Sequence, residues 1–131
     1  MNSLLHYYSN ILLYQYIEIV EIMIRKYELK MSDLTSKQRK YLRSEAHHIN
    51  PVVLIGKNGF YEGASTAIDN ALNIHELIKI KFREFKDERK DIGIQISNAL
   101  KCDIIGQVGN TIILYRYNNK LEKHDFKLPV C

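Results

Sequence analysis

The pattern of apolar and polar residues changes near Met31, and this change divides the chain into two parts. Residues 1–30 are rich in Tyr, Ile and Leu and contain neither Gly nor Pro. This composition is compatible with an amphipathic helix that packs on the remaining chain or on a second copy of it. It is equally compatible with a start-site artefact in which Met31 is the working initiator.

From Thr35 onward the spacing of apolar residues predicts helices that alternate with strands. The predicted elements are a helix from Thr35 or Ser36 to about His48, a strand from Val52 to Ile55, a helix around Ala64 to Leu72, a strand from Leu77 to Phe82 and a helix from Asp87 to Leu100. Asn50-Pro51 ends the first helix, because the residue before a proline is driven out of the helical region.

The residue pattern of the last part of the chain predicts a β-hairpin followed by an irregular tail. Gly109-Asn110 supplies a turn between two β-branched runs, Asp103 to Val108 and Thr111 to Tyr117. Asn118 to Cys131 is polar and is predicted to be irregular, with Phe126 and Leu128 as candidates for docking on the domain. We therefore expect an extension at 1–30, a domain at 31–117 and a tail at 118–131.

Charge favours a polyanionic partner. The chain has 19 Lys and Arg against 15 Asp and Glu, a formal net charge of +4. Residues 1–30 hold three of each sign, so the excess lies entirely in the predicted domain and tail. The two cysteines, Cys102 and Cys131, form no CxxC pair, which favours a reduced cytoplasmic protein. The apolar run in residues 1–30 is too interrupted for a membrane span, so we expect no membrane partner.

Gly56-Lys57-Asn58-Gly59 lies where the first predicted strand ends and a helix begins. Two glycines allow a tight turn and let a ligand approach the backbone without a Cβ in its way. A helix N-terminus offers free N–H groups and the positive end of the helix dipole, and Lys57 adds a cation. The combination suits a phosphodiester backbone, in the manner of the GXXG loop of KH domains.

A GxxG sequence is also typical of a simple β–α turn. Gly106-Gln107-Val108-Gly109 has the same spacing between two predicted strands, and we interpret it as part of the hairpin. A ligand-binding role for the Gly56–Gly59 loop therefore needs further evidence from other parts of the sequence.

Basic residues on a helix and on a strand supply further candidates. Lys37, Arg39, Lys40 and Arg43 are predicted on the solvent side of the first helix of the domain. Alternation places Lys79, Lys81 and Arg83 on one strand face and Ile78, Ile80 and Phe82 on the other. A charged helix face is often only a solvated face, so both interpretations stay open.

Other candidates are weaker. His47 and His48 lack a carboxylate or cysteine at ligand spacing and suit a helix end. Tyr115 and Tyr117 could stack on bases, although packing is the simpler interpretation. The sequence contains no GxxxxGK[ST], GxGxxG, HExxH or GxSxG motif, so we expect no enzyme, no cofactor and no metal.

Three ordered segments carry a family resemblance. They are LTSKQRKYLRSEAHHINPVVLIGKNGF at Leu34 to Phe60, HELIKIKF at His75 to Phe82 and IIGQVGNTIILYR at Ile104 to Arg116. Together they resemble the CRM domain in its stand-alone bacterial form, the YhbY-type proteins. The resemblance covers about Leu34 to Tyr117.

The resemblance implies an α/β fold: a single compact domain in which a four-stranded mixed sheet packs with three helices, similar to the C-terminal domain of translation initiation factor three. It also implies RNA binding and association with precursors of the large ribosomal subunit. By position, the RNA-contacting loop falls on Gly56, Lys57, Asn58 and Gly59, and the basic helix on Lys37, Arg39, Lys40 and Arg43. To these we add Lys79 and Lys81 from the basic strand.

The chain departs from the family pattern in two places. Phe60-Tyr61 stands where a Leu-Thr type of pair is common, which is expected to alter the capping of the next helix. Residues 1–30 and the tail after Tyr117 have no clear counterpart.

We therefore expect a monomeric, non-catalytic protein that binds ribosomal RNA of the large-subunit precursor through backbone contacts and aids ribosome assembly. The alternative is a protein-interaction module that uses residues 1–30 for self-association or for docking on ribosomal proteins. A third hypothesis, an RNA-modifying enzyme, lacks any paired acid and base in the sequence.

Overall fold

The computed structural model describes residues 2–30 and 34–130, and within the first segment it describes the side chains of residues 9–23. The helices are α1 (Asn2–Lys30), α2 (Ser36–Ala46), α3 (Glu62–His75) and α4 (Arg89–Leu100). The strands are β1 (Val53–Ile55), β2 (Leu77–Phe82), β3 (Asp103–Val108) and β4 (Thr111–Tyr115). Contacts divide the chain into two units with a boundary between residues 33 and 34.

Helix α2 begins at a capping box formed by Thr35, one of the two residues predicted to begin this helix. The backbone N–H of Gln38 donates to Thr35 Oγ1 at 3.2 Å, and the backbone N–H of Thr35 donates to Gln38 Oε1 at 3.0 Å. The helix ends at Ala46, two residues before the predicted end, because the N–H groups of His47 and His48 already bond to carbonyls three residues back.

The other predicted elements are present with small changes at their ends. Strand β2 has the predicted bounds, and β3 and β4 form the predicted hairpin around Gly109-Asn110. Helix α4 begins at Arg89 and not at Asp87, since Asp87 and Glu88 lie in a turn in which Glu88 N–H donates to the Phe85 carbonyl. Strand β4 ends at Tyr115, two residues earlier than predicted.

The sheet has the strand order β1-β2-β4-β3. Strands β1 and β2 are parallel, with α3 as the crossover between them, and the other two pairs are antiparallel. The register between β3 and β4 shifts between Ile104 and Gly106, which marks a β-bulge in the edge strand β3. The predicted four-stranded mixed sheet with three helices is confirmed.

Each face of the sheet carries its own hydrophobic core. Helices α3 and α4 cover one face, where the buried side chains include Ile55, Ile68, Leu72, Ile78, Ile80, Phe82, Ile96 and Leu114. Helix α2 covers part of the other face, where the buried side chains are Leu42, Ala46, Leu77, Ile105, Ile113 and Tyr115. The alternation along β2 explains this division, because successive residues of a strand point to opposite faces.

The tail has no helix or strand between residues 116 and 130, and it packs on the domain. Phe126 and Leu128 join the core beneath α2, as their apolar character suggested. Gln38 Nε2 donates to the Pro129 carbonyl at 3.1 Å, which ties the tail to the start of α2.

Residues 2–30 form helix α1, which corresponds to the helical alternative for the N-terminal segment but lacks the amphipathic pattern given with it. Within residues 9–23 the exposed large apolar side chains are Ile11, Leu12, Leu13, Tyr14, Tyr16, Ile17, Ile19, Ile22 and Met23. Residues 11–14 are four consecutive exposed apolar residues, and four residues span a full helical turn. The apolar side chains therefore surround the helix and do not form one stripe. In the described part of the chain, no helix combines the length and apolar character that a membrane crossing requires.

Candidate nucleic-acid interface

The Gly56–Gly59 segment forms a tight turn at the end of β1. The Gly59 N–H donates to the Gly56 carbonyl at 3.0 Å, and Lys57 and Asn58 at the tip are exposed. Gly59 is buried with φ +62°, and a Cβ at this position would lie 3.4 Å from the Phe85 ring. Gly59 is therefore required by the backbone of the turn.

Gly56 differs from Gly59 in both respects. Its φ is not positive, and a Cβ added there would meet no atom within 4 Å. An L-residue with a side chain could occupy this position without strain, so the fold itself does not require a glycine here.

Helix α3 follows the turn with an N-terminus that no side chain caps. Tyr61 occupies the N-cap position and makes no capping hydrogen bond, which agrees with the expectation drawn from Phe60-Tyr61. Its ring instead covers Gly63. Glu62 stands in the first turn, and its negative charge offsets part of the positive end of the helix dipole.

The segment after β2 lies beside the glycine turn. The backbone N–H groups of Arg83 and Glu84 both donate to the Ile55 carbonyl, at 2.9 and 3.3 Å. Residues 83–88 include Arg83 and Lys86 as well as three acids, so this neighbour contributes charges of both signs. Lys57 makes no hydrogen bond or ion pair with the described residues, so its ammonium is available to a ligand.

The bases of α2 serve two different purposes. Lys37 and Lys40 are exposed, as predicted. The prediction for Arg39 is corrected: its side chain is half-buried, and Nη1 donates to the Ile104 carbonyl at 3.0 Å. Arg43 is exposed and makes a longer hydrogen bond of 3.4 Å to the Ile105 carbonyl. Both arginines thus donate to carbonyl groups at the bulge of β3.

The basic residues of β2 lie on the same sheet face as α2. Lys79 is half-buried and Lys81 is exposed. Helix α2 leaves the β1 side of this face open, since Val52 and Leu54 are 49% and 47% exposed. Lys81 pairs with Leu54, two residues before Gly56, so the line of bases on β2 runs toward the glycine turn. The fold therefore places α2, Lys79 and Lys81 on one face of the sheet, with Lys81 beside the strand that ends at the glycine turn.

The remaining candidates from the sequence analysis are the two adjacent histidines, the two tyrosines and the second GxxG sequence. His47 and His48 lie in the turn that ends α2. Tyr115 is buried, and burial together with the Glu76 carboxylate raises its pKa to about 12. Tyr117 stacks on His124 with ring centroids 4.8 Å apart. The second GxxG is part of the hairpin, with Gly109 at φ +57° in its turn. The described residues contain no group of three or more potential metal ligands.

A polar cluster toward the C-terminal end of α3 was not predicted from the sequence. The Glu76 carboxylate is buried, contacts His124 Nδ1 at 2.7 Å and accepts from the Asn118 N–H at 2.8 Å. Arg116 bonds to Asp69 Oδ1, Asn73 Oδ1 and the Leu100 carbonyl, each at 2.8 Å. This cluster connects the tail to α3 through contacts between residues more than 40 positions apart, so no local pattern could predict it.

Comparison with known proteins agrees with the fold. The chain is 42% identical over 87 residues to an RNA-binding protein of Haemophilus influenzae, which covers 66% of this chain and 88% of that protein. It is 32% identical over 97 residues to YqeI of Bacillus subtilis, named a probable RNA-binding protein, which covers 73% of this chain and 99% of YqeI.

A solved structure supports the same conclusion. The solution structure of a Staphylococcus aureus protein, for which RNA binding has been suggested, matches with a TM-score of 0.63 and 37% identity, covering 73% of this chain and 99% of that one. Residues 34–116 match the model of the CRS1 / YhbY (CRM) domain. The chain therefore belongs to the CRS1/YhbY (CRM) domain family.

Proposed function

We propose that this protein binds ribosomal RNA in precursors of the large ribosomal subunit, through the sugar-phosphate backbone at Gly56–Gly59, and so aids ribosome assembly. The observation that carries the proposal is Gly56. The fold has room for a side chain there, so a glycine at this position is explained by a ligand that approaches the main chain.

The charges around the turn support this function. Lys57 is exposed at its tip, Lys81 is exposed on β2 beside the strand that leads into the turn, and Lys37 and Lys40 are exposed on α2. Contacts of this kind neutralise phosphates and read little base sequence. The relatives named as RNA-binding proteins agree with an RNA ligand. The proposed function involves no catalytic step and locates the protein in the cytoplasm.

Binding to large-subunit rRNA fragments tests the proposal. We expect Gly56→Ala and Lys57→Ala to weaken binding while thermal unfolding stays unchanged. Loss of one lysine–phosphate contact lowers the slope of log affinity against log salt by about 0.9 on duplex RNA, by analogy with B-DNA. Lys90→Ala, on exposed α4 at the opposite sheet face, is the matched control. Wild-type affinity in both loop variants would refute the role of the turn.

Association with assembly intermediates is a separate measurement. In gradient-fractionated lysates, the wild-type protein is expected with particles that precede the mature large subunit, and Lys57→Ala is expected to shift toward the free fraction. Equal distribution of both proteins over all ribosomal fractions would contradict the assembly role.

The exposed apolar residues of α1 favour a second candidate function, which is protein interaction through residues 1–30. Deletion of residues 1–33 separates the two candidate functions. The domain is expected to fold without this segment, because 73% of this chain is enough to cover 99% of the Staphylococcus aureus structure. RNA affinity that survives the deletion supports the RNA function of the domain. A monomer before and after deletion would argue against self-association.

A further inference from the structure

A cavity of about 270 Å³ lies between the C-terminal end of α2 and the sheet, separate from the glycine turn. Its lining residues are Arg43, Ala46, His47, Pro51, Lys79, Gln107, Val108, Thr111 and Ile113. The lining combines basic, uncharged polar and apolar side chains and contains no Asp or Glu. An anion is therefore favoured in this cavity over a cation.

The two bases of the cavity are not neutralised within the domain. Lys79 is half-buried, and no described residue forms a hydrogen bond or ion pair with its ammonium. Arg43 makes one long hydrogen bond, to the Ile105 carbonyl, and its guanidinium carries further N–H donors. A phosphate between Arg43 and Lys79 would receive charge-assisted hydrogen bonds from both.

The remaining walls suit an apolar, planar group. Ala46 and Ile113 are buried and form part of the lining, while Val108 is 61% exposed at the mouth. Pro51 adds a second exposed apolar surface, and the Thr111 hydroxyl can donate or accept a hydrogen bond. This arrangement offers contact area to a nucleobase beside a place for its phosphate.

The volume limits the ligand to a small group. Sites for small molecules commonly measure about 300–1,000 Å³, and this cavity, at about 270 Å³, lies close to the lower end of that range. In a regular RNA duplex the bases are stacked and paired, whereas unpaired nucleotides in loops and bulges can turn outward into a protein. A single outward-turned nucleotide matches the size, the charge and the apolar walls together.

We infer that this cavity, which we call the α2–sheet pocket, binds one unpaired nucleotide of the RNA, with its phosphate between Arg43 and Lys79 and its base against Val108 and Pro51. This inference rests on the proposed RNA-binding function. It adds a preference for RNA that carries an unpaired residue, which backbone contacts at the glycine turn do not provide.

Two hairpin RNAs test the inference: a continuous duplex, and the same duplex with one bulged uridine. We expect the wild-type protein to prefer the bulged RNA by about tenfold, which corresponds to one additional set of contacts worth about 1.4 kcal/mol. Val108→Glu and Lys79→Gln are expected to lower the affinity for the bulged RNA more than the affinity for the continuous duplex, and so to remove the preference. Lys90→Gln, the matched charge control, is expected to keep the preference.

A second measurement locates the nucleotide. On titration with uridine monophosphate, the amide resonances of Val108 and Thr111 are expected to shift in the wild-type protein and to stay in place in Lys79→Gln. Equal affinity of the wild-type protein for both hairpins, or a preference that survives both pocket variants, overturns the pocket while leaving the glycine turn in place. Absence of RNA binding in the wild-type protein overturns both proposals.

Discussion

The Arg39 guanidinium donates a hydrogen bond from Nη1 to the carbonyl oxygen of Ile104, at 3.0 Å. Ile104 lies at the point where the register of β3 shifts against β4. The arginine thereby satisfies a carbonyl at the bulge of an edge strand and fastens α2 to the sheet. A residue that resembled a phosphate contact in the sequence thus has a structural role of its own.

Replacing Arg39 should therefore affect stability. Arg39→Ala removes the hydrogen bond to β3 and is expected to lower the free energy of unfolding by about 1 kcal/mol. Lys37→Ala, on the exposed side of the same helix, is expected to change it by less than about 0.5 kcal/mol. Urea denaturation measures both. Equal stability of the two variants would show that the Arg39 contact contributes nothing measurable.

The two glycines of the turn are expected to differ when each is replaced by alanine. Gly59→Ala places a Cβ on a residue with φ +62° beside the Phe85 ring and should cost about 1 kcal/mol. For a domain of this size that loss lowers Tm by about 4–8 °C. Gly56→Ala should leave Tm unchanged and weaken RNA binding. A large drop in Tm for Gly56→Ala would remove the argument that its glycine serves a ligand.

The buried Glu76 carboxylate is expected to hold the tail in place. Glu76→Ala leaves His124 and the Asn118 N–H without their partner and should cost about 2 kcal/mol. Trypsin should then cleave at Lys120 and Lys123 sooner than in the wild-type protein. His124→Ala, which keeps the Asn118 contact, is the milder comparison. Unchanged cleavage in Glu76→Ala would mean that the apolar contacts of Phe126 and Leu128 hold the tail alone.

The Cys102 thiol is expected to be unreactive in the folded protein. Burial raises its pKa from 9.0 to about 12, so very little thiolate forms at pH 8. Because the folded state favours the protonated thiol, this contribution to stability is complete below pH 9 and is lost as pH rises toward 12. In a Cys131→Ser background, iodoacetamide at pH 8 should label Cys102 only when denaturant unfolds the domain. Rapid labelling of the native protein would contradict this environment.

Local patterns predicted most of the fold for identifiable reasons. Alternation along Leu77–Phe82 fixed both its strand character and its two faces, and Gly109-Asn110 marked the hairpin turn. The start of α2 was predicted at Thr35 or Ser36, and the capping box that Thr35 forms there involves only residues up to Gln38. The small errors occur at element ends, where turns such as the one at Glu88 compete with the helix.

The features that escaped prediction depend on contacts between distant residues. The β3 bulge depends on how β3 pairs with β4, and the roles of Arg39 and Arg43 follow from that bulge. The burial of Glu76 depends on a tail residue 48 positions away. The α2–sheet pocket likewise needs α2, β2 and the hairpin to be assembled before Arg43 and Lys79 share it.

The tail contact at Gln38 brings the two ends of the domain together. Leu34 and Leu128 pack against the same core, and Gln38 lies 3.1 Å from the Pro129 carbonyl through its side-chain nitrogen. A domain whose entry and exit are adjacent can be inserted into a host protein, or circularly permuted with new ends in an exposed turn, without large rearrangement. The glycine turn is built from other segments, so insertion or circular permutation of the domain should leave the geometry of this turn unchanged.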